Sequence, residues 1–251
     1  GYAEGSMSGD LAYSANAANN YQRMPHIVTM SSVRQSIPRI YLPEAIMEGK
    51  ALGYLTDVAS VHGQFQRIGY PAPGCARIEM MYKYGSASFG TMVESNRWVK
   101  MYQHENLPFV VNQSVWNEGE TRFSDVILPA CTVFERWDIS EWYNVGAGYV
   151  HHMYSMNNHR VISMQHKAIE PMGESKSDYD IFLAIAERLG MGAMYSEGGN
   201  TELDWCKRVF DSSDLAKHMT WSKFLEKGYF VVPPEPEATR AQTQQPMRTH
   251  P

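Results

Sequence analysis

The stretch RIEMMYKYGSAS, residues 77–88, decides the fold class of this chain. Its first eight residues are largely apolar and aromatic, which indicates a strand, and the Gly-Ser-Ala-Ser run ends that strand. A helical pattern covers 91–103, and the run Phe109-Val110-Val111 predicts a second strand. A strand, a helix and a strand joined by short turns predict an α/β fold with a parallel, Rossmann-like sheet flanked by helices.

A third strand is predicted over 124–129, with the sequence SDVILP. The apolar runs of these strands are continuous rather than alternating, which is typical of a sheet covered by helices on both faces. Ligands of open parallel sheets bind beyond the carboxyl ends of the strands. Candidate ligand contacts therefore fall in three turns, Gly85-Ser86, Gln113-Ser114 and 129–136.

Each of these turns also has an interpretation without a ligand. Gly85-Ser86 suits an ordinary turn, and Gln113-Ser114 suits a cap on the next element. Arg136 suits an exposed ion pair with Glu135 or Asp138, which would contribute ~0–1 kcal/mol. The residues alone leave both interpretations open.

The clearest helix is predicted over 178–189, because its apolar residues fall on one face. Ser177 is a good N-cap, Asp178 is a favourable charge in the first turn, and Gly190 suits the end of the helix. Asp178 can therefore be explained without a ligand. Periodicity and capping residues also predict helices over 43–51, 202–210 and 221–227, and a strand over 159–166.

Composition excludes several classes of partner. The 251 residues carry a formal net charge of −5, so no basic excess is present to neutralise phosphates and nucleic acid is not an expected partner. The apolar runs are far shorter than the roughly 20 residues that cross a bilayer, so no membrane span is expected. The three cysteines are far apart, and His151-His152 and His159 have no Cys or carboxylate at ligand spacing, so no metal site is predicted. A reducing, cytoplasmic compartment is expected.

Two motifs fifty residues apart carry a resemblance to a known family. The stretch ETRFSDVILPA, residues 120–130, resembles that family's strand motif "ET-x-x-A-D-V-V-L-P-A". The stretch EPMGESKSD, residues 170–178, resembles the motif "P-x-G-E-x-K-x-D" at the start of a helix that ends in Arg-Leu-Gly, here 188–190. In this order and spacing, the motifs resemble those of molybdopterin oxidoreductases of the dimethyl sulfoxide reductase family.

Further segments are similar to the transhydroxylase branch of that family. They are GYAEG at 1–5, YPAPG at 70–74 and LPACTVFERWDIS at 128–140. The resemblance implies hydroxyl transfer between polyhydroxylated benzenes, of the pyrogallol-to-phloroglucinol type, with a phenolic substrate. Two alternatives stay open, namely reductive dehydroxylation of a catechol by another member of the family and a non-catalytic α/β binding module.

The resemblance also implies a cofactor and the residues that contact it. The cofactor is molybdenum held by two molybdopterin guanine dinucleotides, while iron–sulfur clusters are expected only in a separate small subunit. Gly85-Ser86 would approach a pterin dinucleotide through the backbone, and Gln113-Ser114 would lie at its guanosine end. Arg136 would meet a polar part of the cofactor, and Asp178 would accept hydrogen bonds from the guanine.

The resemblance assigns a catalytic role to Tyr2, which lies in the GYAEG motif. A phenol with a pKa near ~10 can donate a proton to a substrate oxygen and take it back later. The ligand of the molybdenum and the remaining catalytic groups are expected outside this sequence.

Three parts of the chain are expected. Residues 1–76 would be an irregular and helical segment that belongs to a preceding domain and to the wall of the active site. Residues 77–232 would form the α/β dinucleotide-binding domain, and the Pro-, Gln- and Thr-rich residues 233–251 would be a linker or a disordered tail. The sequence starts without an initiator Met or a leader pattern, so we expect an internal segment of a longer chain.

Overall fold

The computed structural model describes residues 35, 37, 39–54, 67–85, 88–141 and 161–231. These residues fall into two compact units. The first takes its described residues from Thr29–Thr132 and Pro171–Ile185, and the second from Val133–Glu170 and Ala186–Pro251. The domain boundaries expected from the sequence stay predictions.

The first unit contains a parallel sheet of three strands. Its elements in chain order are α1 (Leu42–Met47), β1 (Ala51–Tyr54), β2 (Arg67–Tyr70), β3 (Met80–Tyr84), α2 (Ser88–Thr91), α3 (Ser95–Tyr102), β4 (Phe109–Ser114), β5 (Val126–Pro129) and the first two turns of α4 (Asp178–Arg188). Strands β3, β4 and β5 lie side by side in that order and all run in the same direction, whereas β1 and β2 form a separate antiparallel pair. The α/β class and the parallel sheet predicted from the sequence are confirmed.

The core of the parallel sheet forms on the side of α3. Trp98, Met101 and Tyr102 lie on one face of this helix, three and four residues apart, and pack with Ile46 and Val110. Trp98 and Met101 are fully buried, and burial of such side chains stabilises a fold by about 1.5–3 kcal/mol each.

The helix predicted over 91–103 is divided in the structure. Helix α2 ends at Thr91 and α3 begins at Ser95, and between them Glu94 has a φ of 60°. This left-handed backbone conformation cannot continue an α-helix, so the chain turns before α3 starts. The spacing of apolar residues alone did not reveal the break.

The chain segment before α4 is attached to the end of β5. Lys176 donates its backbone N–H to the carbonyl of Pro129 at 3.1 Å, and Cys131 donates to the carbonyl of Lys176 at 2.9 Å. The side chain of Ser177 accepts a hydrogen bond from the backbone of Asp180, as expected for the predicted N-cap. These bonds place the start of α4 beside the carboxyl ends of the parallel strands.

The second unit is built on an antiparallel sheet that the sequence did not predict. Its elements are β6 (Asp138–Glu141), β7 (Val161–Gln165), the end of α4, α5 (Gly192–Tyr195), α6 (Glu202–Ser212), α7 (Trp221–Lys227) and β8 (Tyr229–Val231). Strand β7 lies between β6 and β8 and is antiparallel to both. The core combines Ile162 and Met164 of β7 with Cys206, Phe210 and Phe224 of the helices. The predicted helices over 202–210 and 221–227 and the strand over 159–166 are confirmed to within a few residues.

Candidate functional site

The candidate site lies in the first unit, where the carboxyl ends of β3 and β4 meet the start of α4. Gln113, near the end of β4, is 1% exposed. Its side-chain Nε2 donates a hydrogen bond to Oδ1 of Asp178, the first residue of α4, at 2.6 Å. The structure thus brings together two residues that were predicted as ligand contacts and lie 65 positions apart.

Gly85 forms the turn directly after β3. It has a φ of 59°, a left-handed conformation that glycine adopts without steric cost, and its N–H donates to the carbonyl of Gln113 at 3.1 Å. Apart from its chain neighbours, no atom of the described residues lies within 4 Å of a Cβ built on Gly85. Within the described part of the chain, the turn is therefore open, and a ligand could approach its backbone closely.

Tyr82 completes a short chain of hydrogen bonds at this edge. Its hydroxyl donates to Oε1 of Gln113, the amide oxygen that faces away from Asp178. The ring of Tyr82 stacks on Phe182 at 5.7 Å between centroids, and Phe182 lies one helical turn after Asp178 in α4. Burial raises the pKa of the Tyr82 phenol above its ordinary value, and the Asp178 carboxylate and Tyr84 raise that pKa further. Tyr82 therefore keeps its proton at neutral pH and acts as a donor.

Sequence reasoning did not identify Tyr82 as part of the site. A signal was present, because Tyr82 and Tyr84 alternate along the strand that ends at Gly85 and therefore lie on one face. In the register of β3 and β4, Tyr84 pairs with Gln113, and Tyr82, two residues earlier in β3, lies on the same face of the sheet. Only the position of α4 shows that this face meets Asp178 and Phe182.

Two other predicted site residues, Ser114 and Arg136, lie within the described part of the chain and bond to other partners. Ser114 makes local contacts, since its Oγ donates to Glu118 at 3.3 Å and accepts from the backbone of Trp116 at 3.3 Å. Arg136 belongs to the second unit and forms an ion pair with Asp138 at 2.6 Å, the surface pairing considered from the sequence. Ser86 and Tyr2 lie outside the described residues. The cofactor roles of these residues stay predictions.

A buried charged group lies in the first unit and was not singled out from the sequence. Lys83 of β3 forms an ion pair with Glu120, which is 1% exposed and opens the strand motif. Glu120 also accepts a hydrogen bond from the hydroxyl of Tyr102 at 2.9 Å. Burial raises the pKa of Tyr102 to about 12, with a smaller contribution from the charge of Glu118. The signal in the sequence was a lysine in an otherwise apolar strand, since a buried charge needs a partner.

Metal-binding clusters and membrane helices are not found in the part of the chain that the structure describes. No group of three or more His, Cys, Asp or Glu side chains there could hold an ion. His151, His152 and His159 lie outside the described residues. None of the described helices is long and apolar enough to cross a bilayer.

The first unit has an α/β fold, and the candidate site lies at the carboxyl edge of its parallel sheet, where ligands of such sheets bind. The family model for molybdopterin oxidoreductases matches residues 12–188, well over half of the sequence. The chain belongs to the molybdopterin oxidoreductase family, and the resemblance based on the two motifs is confirmed. Because this is a family of enzymes, membership argues against a non-catalytic binding module.

Two curated relatives extend this result. The chain is 48% identical over 246 residues to the pyrogallol hydroxytransferase large subunit of Pelobacter acidigallici, covering 94% of this chain and 28% of the relative. It is 36% identical over 140 residues to the dimethyl sulfoxide/trimethylamine N-oxide reductase of Rhodobacter capsulatus, covering 56% of this chain and 15% of the reductase. The chain thus spans less than a third of the length of either relative.

A solved structure, that of acetylene hydratase from Pelobacter acetylenicus, matches with a TM-score of 0.43 and 15% identity. It covers 62% of this chain and 18% of that chain.

Proposed function

We propose that this chain is part of the large subunit of a molybdenum enzyme that transfers hydroxyl groups between polyhydroxylated benzenes. The identity of 48% to a pyrogallol hydroxytransferase large subunit, over nearly the whole chain, supports this assignment. The proposed cofactor is molybdenum held by two molybdopterin guanine dinucleotides, and the described residues would bind one guanosine end. When bound, the molybdenum centre would supply the oxygen-transfer chemistry.

The hydrogen bond between Gln113 and Asp178, at the carboxyl ends of the strands, is the main support for the proposed cofactor. Asp178 presents a carboxylate, and a guanine offers two neighbouring N–H donors that a carboxylate can accept together. Only Oδ1 of Asp178 is bonded to Gln113, and no other donor lies on the carboxylate among the described residues. The open space beside Gly85 suits the approach of a dinucleotide to the backbone. The chemistry of these groups therefore fits the guanosine end of the cofactor.

The partners and the location of the enzyme follow from the same proposal. We expect a small subunit with iron–sulfur clusters, a phenolic substrate and a cytoplasmic location. Arg136, Ser114 and Ser86 are proposed as further cofactor contacts. In this structure Arg136 donates to Asp138 and Ser114 donates to Glu118.

One alternative chemistry has a specific observation in its favour. The 36% identity to a dimethyl sulfoxide/trimethylamine N-oxide reductase shows that this sequence is also similar to enzymes named for reductive chemistry. A reductive catechol dehydroxylase would consume electrons, whereas hydroxyl transfer between two benzenes has no net redox change. An external electron donor therefore separates the two functions.

The test is an assay of the complete enzyme, with both subunits, on pyrogallol together with a tetrahydroxybenzene cosubstrate, with and without an external electron donor. Hydroxyl transfer from the cosubstrate to pyrogallol predicts phloroglucinol without an electron donor, and reductive dehydroxylation predicts a product only when an electron donor is present. A complete enzyme that converts no polyhydroxylated benzene under either condition would contradict the proposed function.

Tyr2 is proposed as the acid that protonates a substrate oxygen. Tyr2→Phe in the complete enzyme should lower turnover by about 10²-fold or more, because the phenylalanine cannot donate a proton. The control is Tyr229→Phe, which removes an exposed hydroxyl from β8. Unchanged turnover in Tyr2→Phe would remove Tyr2 from the mechanism.

A further inference from the structure

The hydrogen bonds from Tyr82 to Gln113 and on to Asp178 have only one consistent direction. The carboxylate of Asp178 can only accept, so the group of Gln113 that faces it must be the NH2 group. The amide oxygen of Gln113 then faces Tyr82 and needs a donor, which the phenol supplies. If the amide were rotated by half a turn, its oxygen would face the carboxylate and two acceptors would lie in contact.

Because Gln113 is buried, the direction of these hydrogen bonds has a consequence for stability. Gln113 is almost fully buried, so water cannot satisfy its amide oxygen if the Tyr82 hydroxyl is lost. The ring of Tyr82 is held by its stacking on Phe182, which lies in the same helix as Asp178. The phenol, the amide and the carboxylate are therefore fixed relative to one another by β3, β4 and α4.

We propose that Tyr82 is a positioning residue for the cofactor, which acts on Asp178 through the amide of Gln113. The inference rests on the proposed function, because it assumes that Asp178 binds the guanine of a pterin dinucleotide. The hydroxyl of Tyr82 fixes the orientation of the Gln113 amide, and the NH2 group of that amide holds Oδ1 of Asp178. The other carboxylate oxygen, Oδ2, is then directed to the guanine. Without the phenol, the amide oxygen of Gln113 loses this donor, so the amide and the Asp178 carboxylate bonded to it are held less firmly.

The experiment measures how fast the complete two-subunit enzyme loses its cofactor. Purified enzyme is incubated in mild urea, passed through a desalting column at intervals, and assayed for bound molybdenum and for guanine released by acid hydrolysis. The variants are Tyr82→Phe, Gln113→Leu and the combination of both. Tyr229→Phe is the control, because it removes an exposed hydroxyl from β8, which belongs to the other unit.

Tyr82→Phe should speed the loss of guanine by about 3- to 10-fold, the effect of one hydrogen bond, while Tyr229→Phe behaves as wild type. In the Gln113→Leu background, Tyr82→Phe should have no further effect, because the group through which it acts is gone. If the role of Tyr82 were purely structural, Tyr82→Phe would speed the loss of guanine both in the wild-type background and in the Gln113→Leu background. Gln113→Glu gives a second test, since glutamate still accepts from Tyr82 but repels Asp178, and it should lose guanine faster than Tyr82→Phe.

The outcomes separate this inference from the proposed function. If wild type retains guanine with its molybdenum and Tyr82→Phe loses it at the wild-type rate, the positioning role is overturned and the proposed function stands. The positioning role is also overturned if the effect of Tyr82→Phe persists undiminished in the Gln113→Leu background. If wild type carries molybdenum without guanine, the proposed cofactor and the inference fall together.

Discussion

Tyr102 lies beside a buried ion pair and donates a hydrogen bond to its carboxylate. Its hydroxyl donates to Glu120, which is nearly fully buried and also forms an ion pair with Lys83. Removal of one partner from such a group leaves a buried acceptor without its hydrogen bond. Among individual residues, the strongest effects on stability are therefore expected at this buried group rather than at the exposed ion pairs.

Tyr102→Phe should destabilise the protein by about 1–3 kcal/mol at neutral pH, because the buried carboxylate of Glu120 loses the hydrogen bond from the Tyr102 hydroxyl. The pKa of Tyr102 is about 12 in the folded state, above the ordinary value of 10.0, so the folded protein holds this proton more tightly. The contribution of the protonated Tyr102 to the free energy of unfolding is fully present below pH ~10 and is lost as the pH rises through ~12. The difference in urea midpoint between wild type and Tyr102→Phe should therefore narrow from pH 10 to pH 12.

The control for this measurement is Tyr229→Phe, which removes an exposed hydroxyl and should leave the urea midpoint unchanged. A gap between wild type and Tyr102→Phe that stays constant or widens between pH 10 and pH 12 would contradict the assigned role of Tyr102.

Cys206 is expected to be chemically inert. Burial, with smaller contributions from the charges of Asp138 and Glu202, raises the pKa of its thiol to about 12, although Arg136 partly offsets these effects. At pH 8 the thiolate fraction is then about 10³-fold below that of an ordinary cysteine, so alkylation should be slower by a similar factor. Peptide mapping after brief iodoacetamide treatment should find Cys75, which is partly exposed, labelled well before Cys206. Equal labelling of both in the native protein, as expected after denaturation, would show that Cys206 is accessible.

The site residues illustrate what a sequence can predict about chemistry. Gln113 and Asp178 were predicted as ligand contacts, by the strand-end rule and the family motif respectively, and they meet in the structure. Tyr82 was missed because its role depends on a partner 31 positions away and on a helix that follows much later. Arg136 shows the opposite case, since its ion pair with Asp138, two positions away, could be read from the sequence.

Helices were better predicted than strands because their ends are encoded locally. Thr220 caps α7, Ser177 caps α4 and Thr201 caps α6, and each bond joins residues that lie three positions apart. The antiparallel strands β6 and β8 were not predicted, because each is short and its pairing with β7 joins residues far apart in the chain. Element boundaries set by tertiary pairing are not visible in a local pattern.

Thr201→Ala should destabilise the first turn of α6. Thr201 accepts a hydrogen bond from the backbone of Asp204, and the Asp204 side chain accepts one from the backbone of Thr201, which together form a capping box. Loss of the hydroxyl should cost about 0.5–2 kcal/mol of local stability. Hydrogen–deuterium exchange of the peptide over 202–212 should become faster in Thr201→Ala.

Thr201→Ser is the matched control, because serine keeps the capping oxygen, and its exchange should remain close to that of wild type. If exchange in Thr201→Ala is as slow as in wild type, the capping box does not determine the stability of this helix.

At the scale of the whole molecule, the chain combines two units with different sheets. The first contains the parallel sheet, the buried charged group and the candidate site, and the second contains the antiparallel sheet around β7. The parallel sheet lies within residues 12–188, which the molybdopterin oxidoreductase family model matches.

The most direct test of the cofactor site is a high-resolution structure of the complete enzyme purified with its cofactor. The quantity to measure is the distance between the carboxylate oxygens of Asp178 and the nearest nucleobase nitrogens. We predict a guanine within hydrogen-bond distance, at about 2.7–3.2 Å, with the Gln113 amide still bonded to the other side of the carboxylate. A nucleobase bound elsewhere, with Asp178 in contact only with protein or water, would contradict the account.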